Sequence, residues 1–94
     1  MSGPPIDPPR DPLGELRGRI TANDTVIVAA VNARLQLVAD LWKLKQKLGV
    51  DQVDPDRERR LREELATANR GPLSPEGLDR LVSELLALTK SELG

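Results

Sequence analysis

Arg34 and Lys45 are the residues whose placement first asks for a chemical explanation. At about 100° per residue, Arg34 lies between Val31 and Val38 on a helix and shares a face with Leu41. Lys45 falls about 20° from it around the same helix and about 16 Å further along the axis. Two cations thus occupy one apolar row, and Asn23 falls on it too. Glu58 joins a second row with Leu61 and Leu65, and Thr89 follows Leu85 by one turn in a third. Arg17 sits roughly 100° from Arg34, so the two serve one site only if a second chain supplies Arg17. An unpaired buried charge costs several kcal/mol, and few acids fall on these faces. The chemistry such a cluster offers is the binding of a doubly negative ligand.

Each residue also has a plainer reading. Long Arg and Lys side chains lay their stems on apolar surface and carry the charge to water. Arg57 and Glu58 are ordinary first-turn charges, Glu58 being favoured by the helix dipole, and Asp54 is a helix cap. The coincidence of several compatible groups favours a site.

Composition narrows what that site can do. The chain has no Cys and no His, so it offers no thiolate nucleophile, no disulfide frame, no ordinary zinc ligands and no imidazole base. Any catalysis must rest on Lys, Arg, carboxylates, amides and hydroxyls, with no metal or cofactor expected. Fourteen basic and fifteen acidic residues leave a net charge of −1, which gives no general attraction to nucleic acid or anionic lipid. Trp42 is the sole aromatic residue, and a core of Leu, Val, Ile and Ala suits helix-on-helix packing rather than a sheet.

The elements that must position these groups are three helices. The first is expected from near Leu13 to Leu48, closed by Gly49, with Leu16, Ile20, Ile27, Val31, Val38, Leu41 and Leu48 at spacings of three, four and seven. Gly14 and Gly18 weaken its first turns. A rod of that length is about 54 Å long, more than a globule of 94 residues spans, so a second copy is expected to cover it. Asp54-Pro55 opens the second helix, with Leu61, Leu65 and Ala68 as its buried row, and Asn69-Arg70-Gly71-Pro72 stops it. Ser74-Pro75-Glu76 opens the third, whose row is Leu78, Leu81, Val82, Leu85, Leu88 and Leu93. Five prolines in the first dozen residues mark residues 1–12 as an extended tail before a helical domain at 13–94. The tail lacks the pattern of a signal peptide, and no apolar run is expected to reach the ~20 residues that span a membrane. A cytoplasmic protein is expected.

In order and spacing, these pieces resemble the all-helical (type II) chorismate mutases. The resemblance rests on Leu16-Arg17-x-x-Ile20 with Asp24 one turn on, then Arg34, Lys45 and the segment Asp54-Pro55-Asp56-Arg57-Glu58-Arg59, and it runs from Leu13 to the last helix. It implies an all-α fold of one long and two shorter helices, intertwined as a homodimer with two shared active sites. It implies the rearrangement of chorismate to prephenate on the route to phenylalanine and tyrosine. Arg17 of the partner chain and Arg34 would bind the two carboxylates, and Lys45 would meet the ether oxygen of the breaking bond. Asp54, mainly through its backbone, and Glu58 would hold the ring hydroxyl. Arg57 would support the carboxylate end, and Thr89 stands where the family often has a Ser that contacts a carboxylate.

The family commonly has Gln or Glu one turn after that hydroxyl, where this chain has Leu93, with Glu92 about 100° away. Either the last turn shifts or the donor is lost. Its loss implies a weak mutase, one activated by a partner such as another shikimate-pathway enzyme, or one with an altered substrate. Isochorismate-pyruvate lyase and 4-amino-4-deoxychorismate mutase resemble the same scaffold, and Glu58 serves either ring substituent as an acceptor. A helical dimerisation module without catalysis is the alternative from another class, favoured by the long rod and opposed by Arg34 and Lys45 in its seam. A nucleic-acid-binding role is disfavoured by the balanced charge.

Overall fold

All three helices begin on one chemical signal, an oxygen-bearing cap followed by proline. Proline at the first helical position loses no hydrogen bond, and the cap satisfies a backbone N–H that the helix cannot. The computed structural model, which describes residues 11–51 and 54–94, arranges the chain as α1 (Pro12–Leu48), α2 (Pro55–Ala68) and α3 (Pro75–Leu93), with no strand among the described residues. Asp54 caps α2 by accepting from the Arg57 N–H at 3.2 Å. Ser74 caps α3 by accepting from the Gly77 N–H at 3.0 Å.

Asp11 does the same for α1, accepting from the Gly14 N–H at 2.9 Å on its side chain and from the Glu15 N–H at 2.9 Å on its carbonyl. The helix thus begins at Pro12, within one residue of the expected start near Leu13, and residues 1–10 of the expected tail lie outside the described residues. Gly14 also gains a reason, since a Cβ there would collide with the capping carboxylate. At the other end, α1 closes as expected on Gly49, at φ +66. Gly49 N–H donates to the Gln46 carbonyl at 3.3 Å and Val50 N–H to the Lys45 carbonyl at 3.0 Å, the paired bonds of a Schellman motif.

The chain divides into two compact units, one ending at Ala30 and the other running from Val31 to Gly94. In the first, every residue of α1 from Glu15 to Ala30 is exposed, including Leu16, Ile20 and Ile27. In the second, α1 carries a covered stripe of Val31, Arg34, Leu35, Val38, Ala39, Trp42 and Lys45, at helical spacing. Leu41 and Leu48, expected on the same apolar row, are exposed, and so are Ala68 of α2 and Leu81 and Leu88 of α3.

The centre of the second unit is on α3, where Val82 is 1% exposed and Thr89 is 7% exposed. Leu78, Leu85, Leu86 and Leu93 are half-buried around them, as are Leu61 and Leu65 on α2. Arg62 fastens α2 to α3, donating to the Asp79 carboxylate at 2.5 Å and to the Ser83 hydroxyl at 3.1 Å. The link between those helices is orderly because Asn69 folds the turn: its side-chain N–H donates to the Leu73 carbonyl at 2.9 Å and its side-chain oxygen accepts from the Gly71 N–H at 3.0 Å.

By length and composition α1 is apolar enough to cross a membrane, contrary to the expectation that no apolar run reaches that length. Isolated charges do not prevent this, because Ala, Val, Ile and Leu dominate the helix around them.

Candidate active site

The second unit brings two of the expected site residues into direct contact. Arg34, on the covered stripe of α1, donates an Nη1 hydrogen to the Thr89 hydroxyl on α3, 55 positions later. Thr89 in turn donates to the Leu85 carbonyl at 2.7 Å. Helical spacing puts Arg34 on the stripe, and the fold alone supplies its partner.

Lys45 lies on the same stripe, three turns along, and is also half-buried. Neither cation is splayed into bulk solvent. On α2, ion pairs engage Arg59, Arg60 and Arg62. A guanidinium carries five N–H donors, so a bond to one hydroxyl leaves Arg34 most of its capacity for an anion.

Asp54, Arg57 and Glu58 sit together where α2 begins, and all three are exposed. The Asp54 carboxylate is engaged by the Arg57 N–H and, at 3.4 Å, by Arg60. Its carbonyl accepts from the Arg57 N–H at 3.0 Å and retains a second lone pair. Residues 52 and 53, just before it, lie outside the described residues. Arg59, one position after Glu58, is tied to Asp56 at 2.7 Å and to Glu63 at 2.9 Å. The hydrogen bond it donates to Asp56, then the charge of Glu63, holds its guanidinium above the usual arginine range. A raised cation stabilises the fold below that range and loses the effect only as pH rises through it, so nothing changes near neutrality.

Arg17 belongs to the first unit, where it is exposed and its carbonyl accepts from the Thr21 hydroxyl at 3.0 Å. Asn23 is exposed in the same unit. At the far end, α3 stays regular to Leu93, with the Gly94 N–H donating to the Lys90 carbonyl at 3.0 Å. Leu93 is half-buried and Glu92 exposed, so the last turn does not shift to present the acid. The residue one turn after Thr89 is apolar. Among the described residues no cluster of acids is arranged to hold a metal ion. Sequence reasoning overlooked Arg62, whose partners lie 17 and 21 positions away on another helix and leave no local signal.

Three helices, with two half-buried cations on one stripe of the first, define a class: an all-helical protein. The model of the chorismate mutase type II family matches residues 16–92, and the chain belongs to that family. Among solved structures it is similar to the chorismate mutase of Thermus thermophilus in two forms. Form I superposes with a TM-score of 0.80 at 25% identity, covering 84% of this chain and 99% of that one. Form II superposes with a TM-score of 0.80 at 25% identity, covering 86% and 92%. A comparison with curated protein sequences finds no match.

Proposed function

We propose that this protein is a chorismate mutase, an isomerase that converts chorismate to prephenate by a concerted [3,3] rearrangement. The observation that carries the reading is the pair of half-buried cations, Arg34 and Lys45, on one covered stripe of α1 in a chain of this family. The reaction suits the composition. It moves six electrons within one molecule and asks for no base, nucleophile, metal or redox group. The barrier falls when the substrate is held in its folded, chair-like form and when negative charge on the departing ether oxygen is stabilised. Arg34 binds one carboxylate, Lys45 meets the ether oxygen, and the Asp54 backbone and Glu58 take the ring hydroxyl, with Arg57 supporting the carboxylate end. Leu93 gives the ether oxygen no second donor, so turnover is expected to be modest unless a partner, such as another enzyme of the pathway, reshapes the site.

The working form in this proposal is a cytoplasmic homodimer whose shared sites receive Arg17 from the partner chain. What supports a second copy is the apolar surface left open along the first unit: Leu16, Ile20 and Ile27 are each more than half exposed. A bilayer would cover the same surface. An ionised side chain at the centre of a spanning helix costs about 2.5–3.5 kcal/mol, however, and α1 carries Asp24 and Arg34 well inside its length. A second helix answers those groups more cheaply.

The test is loss of substrate absorbance in the ultraviolet with chorismate, isochorismate and the 4-amino-4-deoxy analogue side by side, with no metal added. Chorismate is expected to be consumed fastest. Lys45→Ala should lower turnover by 10²-fold or more while helicity and association stay as they are, the order of magnitude for one oxyanion donor. Wild-type turnover in that variant would sink the assigned chemistry, and preference for isochorismate would move the protein to the lyase reading.

A further inference from the structure

We propose that Thr89 is a positioning residue, whose hydroxyl fixes the Arg34 guanidinium for an incoming carboxylate rather than donating to that carboxylate itself. The proposal rests on the mutase reading and specifies how one end of its site is built. Thr89 has one hydroxyl proton. Its two neighbours leave no choice about where the proton goes: a guanidinium can only donate and a carbonyl can only accept. The hydroxyl therefore accepts from Arg34 Nη1 and gives its hydrogen to the Leu85 carbonyl at 2.7 Å. No hydrogen remains for a ligand oxygen unless the bond to Leu85 is given up.

Three features make this a device for holding Arg34. Thr89 is 7% exposed, so its hydroxyl is shielded from water that would compete for the guanidinium. Its branched Cβ limits the rotamers available in a helix, and the bond to Leu85, one turn back, selects among those that remain. It stands on α3, whereas Arg34 stands on α1, so the anchor and the rotamer-rich side chain belong to different elements. An arginine pinned before the ligand arrives loses less freedom on binding, which strengthens affinity. Interactions made equally in the bound and transition states appear in KM, not kcat.

The experiment compares Thr89→Val, Thr89→Ser and Thr89→Ala in the full chain, with helicity checked by circular dichroism. Thr89→Val keeps the branched shape and removes the acceptor. It should lower kcat/KM on chorismate by about tenfold, mostly through KM, as expected for one hydrogen bond to a charged group. Thr89→Ser should return to within about twofold of wild type. Should the Val variant fail to fold, Thr89→Ala, which removes the same acceptor, takes its place. A second arm needs no turnover. In chain labelled with ¹⁵N-arginine, the Arg34 side-chain signal, assigned by its loss in Arg34→Lys, should exchange with solvent slowly in wild type and Thr89→Ser. In Thr89→Val it should exchange at least about tenfold faster. An unchanged Arg34 signal in Thr89→Val overturns the proposal, as does a fall in kcat at constant KM or a failure of Thr89→Ser to recover. If wild-type protein leaves chorismate untouched, the mutase reading falls, and the labelled-arginine arm still decides whether Thr89 holds Arg34.

Discussion

Up to Ala30, α1 shows Leu16, Ile20 and Ile27 to solvent at 54%, 58% and 51% exposure. From Val31 onward the same helix, with the same spacing of apolar residues, covers Val31, Leu35, Val38 and Trp42 within its unit. Periodicity thus marks the apolar face of a helix without saying what will cover it. In the second unit the cover is in the chain, and it includes Thr89. In the first unit the face is as apolar, and the cover we propose is a second copy. The polar residues differ accordingly. Arg34 and Lys45 are set into a covered stripe and are half-buried. Arg17, exposed on the first unit, acquires such a setting only in the proposed dimer.

The largest effect should come from making the uncovered face resemble an ordinary solvated one. Ile20→Asp with Ile27→Asp puts two carboxylates on it, and the double variant should sediment as a monomer, lose helicity in α1 and lose turnover altogether. A monomer with full activity would mean that the first unit contributes nothing to the site, and the contrast between the units would lose its functional meaning.

A smaller, sharper signal comes from mixing two inactive variants, Arg17→Ala and Arg34→Ala. If each site takes Arg34 from one chain and Arg17 from the other, a hybrid dimer has one intact site and one doubly damaged site. Equal mixing makes about half the dimers hybrid, so activity should recover to about a quarter of wild type. No recovery after subunit exchange, followed by mass spectrometry of isotopically distinct chains, would place both arginines in one protomer's site or in none.

The smallest expected effect concerns the cap of the first unit. Asp11→Ala removes the side-chain acceptor for the Gly14 N–H and should lower stability by about 1 kcal/mol, read as a shift of the thermal midpoint. Activity at moderate temperature should hardly change. A much larger loss would show that the start of α1 is held by more than its own cap.

Most of the helical framework was legible in the residues because its signals are local. Asp54-Pro55 and Ser74-Pro75 start helices through bonds spanning three residues, and Gly49 ends one through a backbone conformation that other residues avoid. Asp11-Pro12 carries the same start signal, one residue before the expected start near Leu13. The placement of Arg34 and Lys45 on an apolar stripe was legible too, since helical geometry fixes which residues share a face. Leu93 rather than Glu92 on the inner side follows from the same rule.

Tertiary structure decided the rest. That Leu41, Leu81 and Leu88 stay exposed in the single chain depends on which elements pack against each face, which no spacing within one helix encodes. That Arg62 clasps Asp79 and Ser83, and that Arg34 meets Thr89, depends on bringing together residues 17 to 55 positions apart. Local bonds are written in short stretches of sequence because their partners are a turn away. Long-range bonds form only after the chain has packed, when the position of a whole helix sets which donor finds which acceptor.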